Sequence, residues 1–277
     1  MTNFFSSSSL LPFSVIMVLM LSTVSCTPDS FQKRDSRDWT LAWSDEFNGQ
    51  LGALPNPVNW SYDIGTGNDG WGNQELQYYT NRPSNISLDG QGNLVITARK
   101  ETFSGRGFTS ARINTKGKFQ QMHGRVEARI KTPHGPGIWP AFWMLGSNID
   151  QVSWPQSGEI DIMEMRGQDP SIIYGSVHGP GYSGGNPISG SYALQNGRFD
   201  ADFNIYAVEW FPDRIDFLVN DYLYHRVRKR DIRGEWVFDQ PFFLVLNIAV
   251  GGAFVGFPND KTPFPQEMVI DYVRVYQ

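Results

Sequence analysis

Short runs of alternating apolar and polar residues recur through most of the chain. In the run Gly124 to Lys131, the side chains of Val126, Ala128 and Ile130 share one face of a strand, because successive side chains in a strand point to opposite faces. No long amphipathic helical pattern is visible, and Gly, Asn, Asp and Pro mark turns between the runs. We predict an all-β domain, either an antiparallel sandwich or a barrel. The other predicted strands span residues 93–99, 173–178, 204–210, 214–219, 222–227, 242–249 and 268–276.

One strand-like run, GEIDIME, carries three acids within six residues. Glu159 and Asp161 are two positions apart and therefore share a face. Glu164 is five positions from Glu159, so in a regular strand it would point the other way. One extra residue, a β-bulge at Ile162 or Met163, would return Glu164 to the face of the other two acids. Bulges are common next to active sites because they redirect a side chain.

Three acids on one face are typical of acid–base chemistry. Their charges repel, so the pKa of at least one carboxyl group should be raised. One carboxylate can then act as a nucleophile while another stays protonated as a general acid. Retaining glycosidases place such a pair roughly 5–5.5 Å apart, which a bulged Glu159/Glu164 pair can reach. We interpret these two as a catalytic pair with Asp161 between them; a calcium site and a solvated strand face are the alternatives.

Aromatic residues flank the acids in the sequence. Trp139 and Trp143 are four positions apart and can share a strand face, and Trp154 lies five residues before Glu159. Indole rings stack on the apolar faces of sugars, so we expect these three tryptophans to line a cleft; packing in the core is the alternative. His178 begins a Gly-rich loop and is either a hydrogen-bonding residue of the cleft or an ordinary loop residue.

Composition narrows the possible partners. The chain has 277 residues, of which 40% are hydrophobic, enough for one β-rich domain with a substantial core. The net charge of −5 disfavours nucleic acid and anionic membrane surfaces as partners and, more weakly, strongly anionic polymers as substrates. Since no oligomerisation signal is visible, we predict a monomer.

The amino-terminal region is typical of an export signal. Leu10 to Val24 form an apolar run that is short for a membrane span but suits a signal peptide. Small residues precede Cys26, the only cysteine, as in bacterial lipoproteins whose mature chain begins at a lipid-bearing cysteine. An ordinary secretory signal cleaved near Ser25 is the alternative. We therefore expect an exported protein, either a lipoprotein of the outer membrane or cell surface or a secreted one. The predicted divisions are a signal at residues 1–26, a flexible tether at 27–38 and a catalytic domain at 39–277.

The run of acids resembles the E-x-D-x-x-E signature of glycoside hydrolase family 16. Other blocks extend this resemblance over nearly all of residues 39–277: WSDEFNG, GWGNQELQYYT, SARINTKGKF, GIWPAFWMLG, YAVEWFPDRIDFLVND and PFFLVLNIAVGG. Within the family, the set is most similar to bacterial laminarinases, which are endo-β-1,3-glucanases. The resemblance implies a β-jelly-roll of two curved antiparallel sheets with a cleft across the concave sheet.

The resemblance also implies roles for individual residues. Glu159 would be the nucleophile, Glu164 the general acid/base, and Asp161 a neighbour that tunes the nucleophile. No catalytic cofactor is implied. The implied substrate contacts are Asn73, Arg112, Trp139, Trp143, Trp154, His178 and Asn247. Many relatives carry a structural calcium ion, whose ligands would be Glu46, the carbonyl group of Gly92 (or of Gly90) and Asp271; a salt bridge at Asp271 is the alternative.

The leading functional hypothesis is a retaining endo-β-1,3-glucanase that forms a covalent glycosyl-enzyme. The same chemistry on mixed-linkage β-1,3-1,4-glucan or an algal galactan is a second hypothesis, and a non-catalytic glucan-binding module is a third. Transglycosylation stays open because it starts from the same intermediate. The segment Gly251 to Gly256 departs from the Asn-Trp-Pro sequence of many laminarinases, and either Phe254 replaces that aromatic residue or the subsites differ.

Overall fold

The computed structural model describes residues 1–2 and 37–277. The apolar amino-terminal run, Cys26 and most of the predicted tether lie outside the described residues, so the division at residues 26 and 38 stays a prediction. Residues 37–277 belong to one compact unit. In the part of the chain that is described, no helix has the length and apolar character needed to cross a membrane.

Residues 37–277 consist mainly of strands, as the alternating pattern predicts. Every predicted run overlaps an observed strand, and the run Gly124 to Lys131 coincides with one from end to end. The helical segments among these residues are one α-helical turn, α1 (Ile149–Val152), an irregular turn at Gly70–Gln74 and a 3₁₀ turn at Lys229–Asp231. The strands are β1 (Leu41–Asp45), β2 (Ser61–Tyr62), β3 (Tyr78–Tyr79), β4 (Ile86–Leu88), β5 (Leu94–Phe103), β6 (Arg106–Ser110), β7 (Arg112–Asn114), β8 (Gly124–Lys131), β9 (Ile138–Gly146), β10 (Glu159–Met165), β11 (Ile172–His178), β12 (Ile188–Ala193), β13 (Asn204–Phe211), β14 (Arg214–Val219), β15 (Tyr222–Arg228), β16 (Phe242–Val250) and β17 (Gln266–Tyr276).

The strands form two sheets. The larger has the order β15-β14-β13-β8-β17-β5-β6-β3, with β1 beside β17 and β4 beside β5. The smaller has the order β12-β11-β10-β9-β16-β7-β2. Neighbouring strands are antiparallel except for the short β3–β6 pair. This arrangement confirms the predicted all-β fold, and β10 with its three acids lies near the middle of the smaller sheet.

Both sheets contribute to one apolar core. From the larger sheet, Val126, Ala128 and Ile130 of β8 are fully buried, as their shared face predicts. From the smaller sheet, Ile160 and Ile162 of β10 enter the same core. The intervening side chains of β10 therefore point to the opposite surface of the smaller sheet, which is where the predicted cleft should lie.

Ion pairs cross the outer face of the larger sheet. Arg125 on β8 is buried and lies 2.7 Å from Glu127, 3.0 Å from Glu209 and 2.8 Å from Asp221. A buried guanidinium group needs such partners, since an unpaired charge away from water is costly. The apolar face of β8 thus builds the core while its other face carries paired charge.

Candidate active site

A β-bulge brings the three acids together. On β11, the partners of Asp161 and Glu164 are Ser176 and Tyr174, so three steps along β10 match two steps along β11. The pairing of β10 with β9 shifts at the same place. The two residues between the acids are both fully buried in the core. The predicted bulge is confirmed, and it places Glu164 on the same face as Glu159 and Asp161.

His178 connects the acids to the loop after β11. Its Nε2 lies 3.0 Å from a carboxylate oxygen of Asp161 and 3.6 Å from one of Glu159. Its Nδ1 accepts a hydrogen bond of 3.2 Å from the backbone N–H of Gly184. Since Nδ1 is an acceptor, the ring proton resides on Nε2 and faces the acids. His178 is therefore a buried hydrogen-bonding residue of the cleft, the first of its two predicted alternatives.

The three carboxyl groups share a desolvated site. Burial raises the pKa of Glu159, of Asp161 and of Glu164 to about 8 in each case. The charge of Asp161 further raises the pKa of both glutamates, whereas His178 lowers it. Three such groups cannot all be ionised at neutral pH, so together they retain at least one proton. A protonated acid and an ionised carboxylate can therefore coexist here.

These raised pKa values predict a pH-dependent stability. In the folded state the carboxyl groups bind protons up to about pH 8, whereas in the unfolded chain they lose them near their ordinary values of 4.5 and 3.8. The free energy of unfolding should therefore fall as pH rises through this window. We expect Glu159→Gln, which removes one titrating group, to stabilise the protein at pH 8 by on the order of 1–2 kcal/mol, or a few degrees in Tm.

Thermal unfolding followed by circular dichroism at pH 5 and pH 8 measures this effect. The gain in Tm should be larger at pH 8 than at pH 5. Glu267→Gln, which changes an exposed carboxylate on β17, is the matched control and should show the same small difference at both values. A Glu159→Gln protein that is less stable than the unmodified protein at pH 8 would contradict the prediction.

Two tryptophans of β9 lie beside the acids as predicted. The indole N–H of Trp139 donates a hydrogen bond of 2.9 Å to Oε1 of Glu164. The indole N–H of Trp143 donates one of 2.8 Å to the side-chain oxygen of Asn247 on β16. Both rings are half-buried on the cleft face. The ring centres of Phe254 and Trp139 lie 5.3 Å apart. Phe254 therefore supplies an aromatic ring beside Trp139 from the segment Gly251 to Gly256.

Arg112 of β7 is held on three sides. Its Nε lies 2.8 Å from a carboxylate oxygen of Asp63. Its guanidinium carbon lies 4.5 Å from the ring centre of Trp71 and 4.8 Å from that of Trp143. Cation–π contacts and an ion pair together fix a planar donor group that is only 13% exposed. Of these neighbours, only Trp143 was predicted as a site residue from its sequence position.

A buried carboxylate, Glu75, was not among the predicted site residues. It accepts hydrogen bonds from Asn73 (3.3 Å), Gln77 (2.6 Å) and the hydroxyl of Tyr79 (3.0 Å). Burial raises its pKa. The hydroxyl of Tyr79 in turn accepts a hydrogen bond of 3.2 Å from Asn247. The network therefore joins Asn73 to Asn247, and the polar residues at alternate positions 73, 75 and 77 are the sequence signal that could have indicated it.

Trp154 differs from the other predicted cleft tryptophans. It is 42% exposed, and its ring centre lies 6.0 Å from that of His178. An exposed indole beside a buried histidine of the acid cluster marks the rim of the cleft. All seven predicted substrate contacts thus lie in or beside one region of the smaller sheet, within two connected groups around Glu159–Glu164 and around Glu75.

Two of the predicted calcium ligands, Glu46 and Asp271, are paired with arginines. Glu46 makes a two-point ion pair with Arg274, at 2.9 and 2.8 Å, and Asp271 lies 2.6 Å from Arg129. The salt bridge named as the alternative for Asp271 is therefore present. As arranged, the guanidinium groups of Arg274 and Arg129 already neutralise these two carboxylates, so a calcium ion bound there would compete with both ion pairs. Calcium stays a prediction.

Within the described residues, one group of side chains has a spacing suited to a metal ion. Glu159, Asp161 and His178 each have a ligand atom within 4.8 Å of the others. The imidazole does not fit this role in its present state, because Nδ1 accepts from Gly184 and Nε2 carries the proton. Acid–base chemistry suits these residues better.

Comparisons with known proteins show which family this chain resembles in sequence and fold. The family model of glycosyl hydrolases family 16 matches residues 73–274. A β-glucanase of Rhodothermus marinus is 46% identical over 250 residues, which cover 86% of this chain and 85% of that protein. The laminarinase catalytic domain of Thermotoga maritima is 48% identical, with a TM-score of 0.83 over 87% of this chain and 99% of that domain. The endo-β-1,3-glucanase of Pyrococcus furiosus is also 48% identical, with a TM-score of 0.82 over 86% and 94% of the two chains. The predicted β-jelly-roll is thereby confirmed.

Proposed function

The chain belongs to glycosyl hydrolases family 16, and from this membership we propose that it is an endo-β-1,3-glucanase that works with retention of anomeric configuration. The observation that carries the proposal is the bulged strand β10, which presents Glu159, Asp161 and Glu164 on one face of the cleft. The similarity to laminarinases covers almost the whole described domain and supports a β-1,3-glucan as substrate. The protein is a glycosidase of the laminarinase type, as its sequence blocks indicate.

In the proposed mechanism, Glu164 is the general acid and base and Glu159 is the nucleophile. Glu164 donates its proton to the departing glycosidic oxygen while Glu159 attacks the anomeric carbon and forms a covalent glycosyl-enzyme. Glu164 then takes a proton from water, whose oxygen bonds to the anomeric carbon as the bond to Glu159 breaks. Trp139 supports this assignment because its N–H occupies only Oε1 of Glu164, which leaves the second carboxyl oxygen for the proton.

Asp161, once protonated, and His178 favour the charged form of the nucleophile Glu159 and so oppose the effect of its burial. When Asp161 holds a proton, its carboxyl group can donate a hydrogen bond to Glu159, which stabilises the ionised nucleophile. The Nε2–H of His178 faces both acids and adds a second donor. Because this imidazole is fixed by Gly184, the donor is in place before the substrate binds.

Arg112, Asn73 and Asn247 are the proposed contacts to the sugars on the non-leaving side. The guanidinium of Arg112 presents fixed donors, and Trp143 offers an indole face beside it. A few oriented polar groups between aromatic faces suit a sugar ring, which is apolar on its faces and polar at its rim. Glu75 positions both asparagines through hydrogen bonds, directly to Asn73 and through the hydroxyl of Tyr79 to Asn247.

Product analysis with three polymers tests the proposal. Laminarin, mixed-linkage β-1,3-1,4-glucan and agarose are incubated with the protein, with Glu159→Ser as the control, and the first products are followed by proton NMR. We expect short β-1,3 oligosaccharides from laminarin with β configuration at the new reducing end, and none from the Glu159→Ser protein. Cleavage of agarose alone would keep the mechanism and overturn the substrate. Binding of glucan without cleavage would instead support a non-catalytic module.

We also propose export and lipid attachment at Cys26. The support is the apolar run before this cysteine and the small residues between them. Fractionation of cells that produce the full chain is the test, since a Cys26→Ser protein should move from the membrane fraction to the soluble fraction. A protein that is soluble with or without the cysteine would overturn lipid attachment.

A further inference from the structure

We propose that Arg166 binds the sugar of the leaving group, and so helps determine which acceptor and leaving sugars the enzyme uses. This inference rests on the proposed glycosidase function. Arg166 follows β10 directly and is two positions beyond Glu164, the same spacing that places Glu159 and Asp161 on one face. It is half-buried. Neither the family motif nor the catalytic mechanism above assigns it a role.

The guanidinium group of Arg166 packs against two aromatic rings. Its central carbon is 4.4 Å from the ring centre of Phe254 and 5.4 Å from that of Tyr174. These two rings pack edge to face with their centres 5.5 Å apart. A hydrogen bond of 2.9 Å from the side chain of Gln168 to the carbonyl oxygen of Val255 holds the loop of Phe254 close to the end of β10. These ring contacts position the cation and use none of its hydrogen-bond donors.

Arg166 has donors without partners. Across residues 37–277, no carboxylate is within ion-pair distance of it, although the arginines at 112, 125 and 129 each have one. Its Nε is buried and has no hydrogen-bond partner among the described residues. The two terminal nitrogens of this half-buried side chain also have no partner among the described residues, and these are the donors that a bound sugar hydroxyl would reach. An arginine with several free donors can bind two hydroxyl groups at once.

The position of Arg166 indicates the leaving-group side. The proposed contacts of the other sugars, Arg112 and Asn247, lie on β7 and β16, to one side of β10 in the smaller sheet. Tyr174 lies on β11, to the opposite side, and is directly across from Glu164, the proposed proton donor. Arg166 lies over Tyr174 and over Phe254, whose ring extends from Tyr174 to Trp139 at the end of β10. A sugar chain that crosses β10 with its scissile bond at Glu164 would therefore place its leaving sugar against Arg166.

Transfer of the glycosyl group to an added sugar acceptor can separate binding by Arg166 from any effect of Arg166 on Glu164. A glycosyl-enzyme is formed from an aryl β-laminaribioside, and free laminaribiose is added as acceptor. Glu164 takes a proton either from water or from a hydroxyl of the acceptor, whose oxygen bonds to the anomeric carbon as the bond to Glu159 breaks. Both routes use the same base, so any change in Glu164 cancels in the ratio of transfer to hydrolysis. Only the transfer route needs the leaving-group subsite.

We expect Arg166→Met to lower the ratio of transfer to hydrolysis about 10-fold or more at a fixed acceptor concentration, because charge-assisted hydrogen bonds to the acceptor are lost while the length of the side chain is kept. Arg166→Lys should give an intermediate ratio, since it keeps the positive charge but loses the planar guanidinium group with its several donors. Arg230→Met changes an arginine whose side chain is 80% exposed and should leave the ratio unchanged. Thermal unfolding of each variant reports whether it folds.

Several results would overturn this proposal. If Arg166→Met lowers transfer and hydrolysis equally, the residue acts only through Glu164 or the fold. If the unmodified enzyme hydrolyses the donor but transfers to no acceptor, there is no subsite for the leaving sugar, since cleavage and transfer pass through the same complex in opposite directions. Failure of the unmodified protein to release the aryl group at all would count against the glycosidase function itself, which separates the two failures.

Discussion

Replacing Glu159 by Ala should reduce the hydrolysis of laminarin by at least about 10⁴-fold, because the covalent route is lost together with the nucleophile. The fold should remain, since the side chain sits on the cleft face of β10 and is surrounded by like charge. Reducing-sugar release at matched protein concentrations measures the loss, and the sensitivity of the assay sets its lower limit. Purified protein that is free of host glucanases is essential at this level of residual activity.

A small external nucleophile identifies the role of Glu159. Azide fits the space left by the removed carboxylate and can attack the anomeric carbon of an aryl β-glycoside once. A single displacement inverts the configuration, so the expected product of the Glu159→Ala protein is an α-glycosyl azide. A β-glycosyl azide, or residual activity above about one per cent of the unmodified enzyme, would contradict the assignment of Glu159 as nucleophile.

The second large effect is expected at Glu164. Glu164→Ala should slow the hydrolysis of laminarin by about 10²–10⁴-fold, the range over which general acid–base catalysis contributes. Formation of the glycosyl-enzyme from an aryl β-glycoside with an acidic phenol should be far less affected, because that leaving group needs no proton. The loss should therefore depend on the leaving group, whereas the loss in Glu159→Ala should not.

Azide again distinguishes the two glutamates. In the Glu164→Ala protein the nucleophile is intact, so azide attacks the glycosyl-enzyme in the second step and the product is a β-glycosyl azide. Glu267→Ala, at an exposed position of β17, is the control for loss of a negative charge and should retain full activity. Equal losses on laminarin and on the aryl glycoside would contradict a role for Glu164 as general acid.

The sequence predicted the central part of this site because local rules were enough. The alternation of β8 placed its apolar face correctly, since one face of a sheet must enter the core. The bulge followed from the odd spacing of Glu159 and Glu164 combined with the need for both on one face. Neither argument required knowledge of distant parts of the chain.

The residues that were missed depend on contacts between distant segments. Glu75 and Asn247 are linked through Tyr79 although they are far apart in the chain. Trp71 reaches Arg112 from an irregular turn in which its backbone is left-handed, with φ of 59°, a conformation that the sequence does not signal. Arg166 was not singled out from the sequence, because its contact with Phe254 depends on a loop almost ninety residues further along the chain.

The bulge in β10 gives this strand an unusual tolerance of changes in length. In β8, the loss of one residue would turn every following apolar side chain toward solvent. In β10, the five-residue interval from Glu159 to Glu164 spans the bulge, and a four-residue interval without a bulge would keep both carboxylates on the same face. A single-codon deletion here therefore preserves the direction of both catalytic side chains and alters only their separation and the local twist. The active-site strand is thus a place where the separation of the catalytic side chains can change without reversing the face on which they lie.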